Sequence, residues 1–167
     1  MPTSAGRRPA APLLGLAVGL VLTLGACSAG PVEIPTPDLG PGAQRACEGF
    51  TADLPATLDD EDRVETVPAD PLGAAYGDPA LVVRCGVEVP AAFALTGQCE
   101  EINDVGWWAP PEQYDDQDVD VTLFLVGYAP AVELTVPADH RPDGVAASLA
   151  GLADAVKGSM RKVRECV

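Results

Sequence analysis

The chain has few of the residues on which most enzyme mechanisms depend. Its only histidine is His140, and serine occurs only three times after residue 27, never within a Gly-x-Ser-x-Gly motif. A Ser-His-Asp triad would therefore depend on His140 alone, and the surrounding Asp139-His140-Arg141-Pro142 sequence predicts a solvated loop before a helix. We accordingly expect no catalytic residue and no enzymatic activity.

Residue clusters typical of metal and redox sites are missing as well. The chain contains no Cys-x-x-Cys, and His140 has no partner at ligand spacing. The acidic run at residues 115–120 resembles the start of a calcium loop, but Val121 stands where that loop needs glycine and Gly127 where it needs glutamate. We interpret this run, and a second one at residues 59–62, as solvated surface, and we predict no metal and no cofactor.

Positive charge is scarce once the first 26 residues are set aside. The whole chain has 10 Lys and Arg against 25 Asp and Glu, and Arg7 and Arg8 lie within residues 1–26, which hold no acid. The remainder thus has 8 cations against 25 anions, a formal charge of −17. Such a surface repels phosphate backbones and anionic lipid headgroups. It predicts that the protein binds no nucleic acid and that any membrane contact has another cause.

No hydrophobic run is long enough to cross a bilayer, yet a shorter one follows the two arginines. Leu13–Leu24 is uncharged and about a dozen residues long, which matches the hydrophobic region of a signal peptide and falls short of the ~20 residues of a membrane span. Leu24-Gly25-Ala26-Cys27 then resembles the bacterial lipobox, in which a cysteine after small residues receives diacylglycerol. We predict a signal peptide over residues 1–26, cleavage between Ala26 and Cys27, and lipidation of Cys27.

A lipid on Cys27 predicts anchoring to the cell membrane on its extracytoplasmic face. Each buried methylene contributes about 0.8 kcal/mol and one acyl chain binds only marginally, whereas a diacylglyceryl group supplies two chains. A plain secretory signal and a retained transmembrane segment are the alternatives. Residues 28–42 contain four prolines and several glycines, so we expect residues 27–42 to form the lipidated cysteine and a semi-extended tether, about 45 Å long at ~3 Å per residue.

Residues 43–167 are expected to form one α+β domain. Ala46 or Cys47, Phe50 and Leu54 predict a helix that ends at Pro55. A last helix is indicated by an apolar stripe with Asp143 as its N-cap, formed by Val145, Leu149, Leu152, Val156, Met160 and Val163. Between them, strands are predicted at residues 63–67, 80–89 and 101–108, with a hairpin of 119–128 and 131–136 and a loop at 70–79. This order favours an antiparallel sheet of about four to five strands with both terminal helices packed on one face.

Four cysteines remain for the exported domain, namely Cys47, Cys85, Cys99 and Cys166. An even number in an exported domain predicts two disulfides, which can pair in three ways. We favour Cys47–Cys166, which would join the two helices, with Cys85–Cys99 as a short bridge. The other two pairings stay open.

A longer set of residues resembles a known family. They are Gly77-Asp78-Pro79, Leu81-Val82-Val83-Arg84-Cys85-Gly86-Val87, Pro90, Cys99, Ile102-Asn103-Asp104-Val105-Gly106-Trp107, Val136-Pro137 and Cys166. Together they resemble the domain of unknown function numbered thirty-five-fifteen, a family of uncharacterised actinobacterial lipoproteins and secreted proteins. The resemblance covers roughly residues 47–166, with Tyr76 where the family usually has Trp. It implies export and paired cysteines, and it implies no activity.

One aromatic cluster is the candidate ligand contact. Trp107, Trp108 and Tyr114 lie close together in the sequence, and adjacent strand residues face opposite sides of a sheet. We expect one tryptophan in the core and its neighbour partly exposed, where it could stack on a sugar or a peptide. The leading hypothesis is a non-enzymatic module that binds or scaffolds an unknown envelope protein. The alternatives are a carrier of a small ligand such as a lipid, sugar or peptide, and a cell-wall enzyme that uses two carboxylates.

Overall fold

The computed structural model describes Met1, residues 30–96 and residues 99–166. The predicted signal peptide, the cleavage site at Ala26 and the lipidation site at Cys27 lie outside the described residues. Within the part that is described, no helix is both long enough and apolar enough to cross a membrane.

The domain is built on an antiparallel sheet. In chain order the strands of the described residues are β1 (Val32–Glu33), β2 (Thr57–Leu58), β3 (Glu61–Asp62), β4 (Thr66–Val67), β5 (Gly73–Tyr76), β6 (Leu81–Val87), β7 (Glu100–Ile102), β8 (Val105–Trp108), β9 (Val121–Val126), β10 (Tyr128–Ala129), β11 (Ala131–Val136) and β12 (Arg161–Lys162). Six of them form the main sheet, with the strand order β5-β6-β11-β9-β8-β7. The other strands form two-stranded pairs, β1 with β4, β2 with β3, and β10 with β12.

Two long helices cover one face of this sheet. The helices are α1 (Pro41–Asp53), α2 (Phe93–Thr96), α3 (Pro111–Asp115) and α4 (Ala146–Ser159), with a 3₁₀ helix at Ala138–Asp143. Helix α1 lies over β5 and β6, α4 lies over β7 and β8, and the two helices contact each other. Ser159 Oγ at the end of α4 also donates to Asp53 Oδ2 at the end of α1, at 3.1 Å.

The main core fills the space between these helices and the sheet. Alternate residues of the central strands point into it, as the period of two in a strand requires, and they meet the buried face of each helix. Its fully buried members include Phe50, Leu81, Leu134, Leu152 and Trp107. We call this side of the sheet the helix face.

The opposite side of the sheet, the open face, carries a second and smaller cluster. Phe93, Trp108, Phe124 and Val126 are buried there, although no long helix of the described residues covers them. The chain segment after α4 crosses this side, where the Arg164 guanidinium lies 4.7 Å from the centre of the Phe93 ring. Burial on both faces explains why β9 is apolar at nearly every position.

The predicted architecture is confirmed, with local differences. The protein is α+β, with both terminal helices on one face of an antiparallel sheet of six strands, where about four to five were predicted, and with the predicted β9–β11 hairpin. The loop predicted at residues 70–79 contains β5, an edge strand too short and too rich in glycine and alanine to show a pattern. The strand predicted at residues 101–108 is a hairpin, because Asn103 and Asp104 adopt positive φ angles of 51° and 62°, as a type I′ turn requires.

The last helix is shorter than its apolar stripe predicts. Leu149, Leu152, Val156 and Met160 are buried as expected, but α4 ends at Ser159 and Val163 is exposed. The chain turns into β12 instead, and the Val163 amide donates to Gly127 O at 2.7 Å. Asp143 is the last residue of the 3₁₀ helix, and Val145 occupies the N-cap of α4.

The segment predicted as an extended tether lies on the domain from Val32 onward. Val32 and Glu33 form a parallel pair with Thr66 and Val67. The side chain of Ile34 is only 1% exposed. Leu39 also packs against the main core, before α1 begins at Pro41. The prolines disfavour a regular helix here but do not prevent an extended segment from packing on the domain. The sequence pattern therefore did not distinguish a docked segment from a free tether.

The disulfides differ from the pairing that the sequence favoured. The bonds are Cys47–Cys85, with Cα atoms 5.5 Å apart, and Cys99–Cys166, with Cα atoms 5.8 Å apart. Cys47 of α1 and Cys85 of β6 are both buried on the helix face. Cys166 lies on the open face, beside Gly106. The sheet therefore separates Cys47 from Cys166, and the favoured pairing is wrong because the chain after α4 passes to the other face.

Each disulfide should stabilise the fold by closing a long loop. The sequence separations of 38 and 67 residues correspond to about 4 kcal/mol each in the loop-entropy model, an upper value because unfolded chains retain structure. We expect a Cys99→Ala/Cys166→Ala variant to lose about 2–4 kcal/mol of unfolding free energy in urea titrations. Peptide mapping without reduction should recover the 47–85 and 99–166 peptides, and a 47–166 peptide would contradict the structure.

Candidate functional site

The three aromatic residues predicted as ligand contacts line one pocket. Trp107, Trp108 and Tyr114 surround a cavity of about 500 Å³ at the outer part of the sheet, where β8 ends and α3 begins. Leu149 of α4 and Leu123 of β9, both buried in the main core, also line it. The cavity volume falls in the range of small-molecule sites, and apolar and aromatic side chains with a few polar groups are the usual lining. We call it the tryptophan pocket.

The tryptophans lie deeper than the sequence indicated. Trp107 is 1% exposed and belongs to the main core, and Trp108 is 5% exposed and belongs to the cluster on the open face. The expectation that one of them is partly exposed is therefore wrong, because both faces of β8 are covered. The indole Nε1 of Trp107 is buried without a hydrogen-bond acceptor within residues 30–96 and 99–166.

Tyr114 forms the polar rim of the tryptophan pocket. Its hydroxyl donates to the Glu100 carboxylate, with oxygen–oxygen distances of 3.1 and 3.2 Å. Partial burial, and then the hydrogen bond and negative charge of Glu100, raise the pKa of the Tyr114 hydroxyl above its ordinary value. The rim thus presents a protonated phenol and an acceptor carboxylate side by side, a pair suited to a neutral polar group of a ligand.

A buried arginine holds this rim in place. Arg141, only 4% exposed, comes from the 3₁₀ helix and inserts its guanidinium under α3. Its Nη1 atom donates to Gln113 O at 2.6 Å, to Val119 O at 2.9 Å and also to Asp116 O, while Nη2 donates to Tyr114 O at 3.0 Å. Four main-chain carbonyls of α3 and the turn after it thus accept hydrogen bonds from the buried guanidinium and tie this segment to the 3₁₀ helix. Sequence analysis placed Arg141 in a solvated loop and missed this role.

A second concave surface lies on the open face of the sheet. Its floor is formed by β6, β11 and β9, and it encloses about 530 Å³ between Glu33 of β1 and Pro110. The Arg84 guanidinium binds the Glu133 carboxylate at 2.5 Å on this floor, and Glu133 is only 7% exposed. We call it the sheet groove. Arg84 and Glu133 each interrupt a largely apolar strand sequence. Sequence analysis did not use these two charges to predict the groove.

The sheet groove also contains a pair of neutral polar groups. The hydroxyls of Thr122 on β9 and Thr135 on β11 lie 3.4 Å apart, and both residues are half-buried. Together with the Arg84–Glu133 ion pair, these hydroxyls give the floor of the groove both charged and neutral hydrogen-bonding groups. Such a floor can bind the polar backbone or side chains of a partner without burying an unpaired charge.

Comparison with protein families assigns the chain. The model of the family described as "Protein of unknown function (DUF3515)" matches residues 8–164. The chain belongs to the DUF3515 family. No curated protein and no solved structure matches it.

The residues by which the sequence resembled DUF3515 have structural roles in this member. Arg84 forms the ion pair of the sheet groove, and Cys85 forms the disulfide to α1. Gly86 has a φ of 82°, and a Cβ there would lie 2.6 Å from Leu39, so glycine is needed where the N-terminal segment crosses β6. A Cβ built on Gly106 would lie 3.1 Å from the Cβ of Cys166, so glycine also permits close packing there.

The remaining candidates of this DUF3515 chain take part in local structure. In the acidic run at 115–120, Asp116 Oδ1 accepts the amide of Asp118, and Asp120 Oδ1 accepts the amide of Ala138. Within the residues that the structure describes, no group of three His, Cys, Asp or Glu side chains could hold a metal ion. His140 Nε2 lies 2.9 Å from Pro79 O, in the 3₁₀ helix and not in an open loop.

Proposed function

We propose that this DUF3515 chain is a membrane-anchored extracytoplasmic lipoprotein whose domain binds or scaffolds another component of the cell envelope. The observation that carries the anchor is the Leu24-Gly25-Ala26-Cys27 sequence directly after an uncharged run and two arginines. A diacylglyceryl group on Cys27 would supply the two acyl chains that stable anchoring needs.

The paired cysteines support an extracytoplasmic location. Disulfides form and persist in oxidising compartments, and the cytosol keeps most thiols reduced. Both bonds connect distant parts of the fold, one on each side of the sheet. Export through a signal peptide would place these cysteines where they can oxidise.

The sheet groove supports the binding role. It is a polar and apolar surface on the side of the sheet that no long helix of the described residues covers, and it contains the Arg84–Glu133 ion pair, whose carboxylate is buried. A second candidate function is transport of a small lipid, sugar or peptide ligand. The tryptophan pocket favours it, because three aromatic residues meet there around a cavity of about 500 Å³.

Replacement of Cys27 tests the anchor. We expect Cys27→Ser to prevent lipid transfer and to move the protein from the membrane fraction to the soluble or secreted fraction, because no acyl chain remains to partition into the bilayer. Fractionation with immunoblotting measures the change, and a wild-type chain treated with globomycin serves as a second arm. Membrane partitioning and processing that are unchanged in both arms would refute the anchor.

Photocrosslinking in living cells tests the binding role. A photoreactive amino acid at Thr135, on the half-buried floor of the sheet groove, should give adducts of defined mass with an envelope protein. The matched control carries it at Asp154, an exposed position of α4. Absence of adducts at Thr135, or the same adducts at both positions, would argue against the groove as the binding surface.

Native mass spectrometry with fluorescence tests the carrier function. Trp107 and Trp108 are the only tryptophans of the chain and both line this pocket, so tryptophan fluorescence is expected to change when a ligand binds there. We expect a bound mass beyond the Cys27 lipid, with Tyr114→Ala weakening binding about tenfold, which equals about 1.4 kcal/mol. Tyr128→Phe, outside the pocket, should bind normally. A spectrum of the acylated polypeptide alone would exclude a co-purified ligand.

A further inference from the structure

The docked N-terminal segment limits how far the domain can lie from a lipid on Cys27. Four residues, 28–31, separate Cys27 from Val32, the first residue of β1, so the connection spans five residue-to-residue steps. A fully extended chain covers at most about 3.4 Å per residue, so this connection reaches no more than about 17 Å. Had the segment been free as far as α1, the connection would have reached more than twice that distance.

The docking depends on contacts of several kinds. The Val32 amide donates to Glu65 O at 2.8 Å, and the Ile34 amide donates to Val67 O at 3.0 Å. Ile34, at 1% exposure, provides the apolar contact. These contacts join the segment to β4, so the position of β1 on the domain defines where the connection to the anchor begins.

A reach of about 17 Å is short compared with the domain. A compact chain of about 135 residues has a radius of gyration near 14 Å and a diameter of roughly 37 Å. The bilayer must therefore stay close to β1, while distant parts of the domain project away from it. The side of the sheet groove that Glu33 borders lies next to the same strand.

We propose that the β1–β4 edge, formed by Val32, Glu33, Thr66 and Val67, is the surface that faces the phospholipid bilayer. The inference rests on the proposed lipid anchor at Cys27. Val67 is 51% exposed on this edge, but Glu33, Glu65 and Asp70 nearby are exposed acids. Anionic headgroups repel such a surface. The short connection, and not charge attraction, holds the edge at the membrane.

Energy transfer to a headgroup-labelled lipid tests this orientation. The full acylated protein, purified from a lipoprotein-producing bacterium, carries a fluorescent amino acid at Val67 or at Val163, which is 47% exposed. Val163 lies beside Gly127, which follows the C-terminal end of β9. Thr122, which lines the sheet groove, is at the other end of the same strand. In phosphatidylcholine vesicles, transfer from position 67 should exceed transfer from position 163 at least about twofold, given the ~17 Å reach and the ~37 Å diameter.

Two further variants connect the result to the docked segment. Ile34→Asp should release the segment and reduce transfer from position 67, whereas Ile34→Val should leave it unchanged. A flexible Gly-Ser insertion before Gly30 lengthens the connection without touching β1 and should reduce the transfer even if Ile34→Asp fails to fold. Equal energy transfer from positions 67 and 163 in acylated protein would overturn the proposed orientation alone. Absence of an acyl chain from the purified protein would overturn both the lipid anchor and the orientation.

Discussion

The structure depends on a sheet that is apolar on both faces and that, within the part of the chain that is described, has long helices on only one of them. Along β9 nearly every residue is buried, so both sides of the strand need cover. Helices α1 and α4 supply it on the helix face. On the open face, cover comes from the short α2, which contributes Phe93, and from the segment that follows α4, whose Arg164 lies over the Phe93 ring. This final segment therefore completes the core on the open face, although it contains no long element.

The two disulfides lie on opposite faces of the sheet. Cys47–Cys85 fastens α1 to β6 on the helix face, and Cys99–Cys166 fastens the final segment near the edge of the sheet on the open face. An irregular segment makes few hydrogen bonds of its own, so a covalent link is an effective way to keep it on the sheet. The same arrangement leaves the middle of the open face free, and the sheet groove lies there.

Sequence analysis was most successful where a long periodic pattern faces one core. The stripe of α4 and the alternation of β9 and β11 gave the correct elements because each repeats over several turns or pleats. The short edge strands β5 and β7, the docking of β1 and the crossing of the last segment depend on contacts with residues far away in the chain. The pairing of Cys166 required knowledge of that crossing, which no local pattern contains. Likewise Trp107, Trp108 and Tyr114 were found from their proximity in the sequence, whereas the support by Arg141 depends on the tertiary fold.

The docking of β1 has a consequence for where this domain begins. Composition alone places the boundary after the proline-rich stretch, at about residue 43. A recombinant fragment cut there would lack Ile34 and Leu39, uncover the apolar surface that they bury, and leave β4 without its partner. Such a fragment would expose an unpaired strand edge and an apolar patch, through which its copies could associate. Aggregation of the truncated fragment would then result from the choice of truncation site and not from instability of the whole domain.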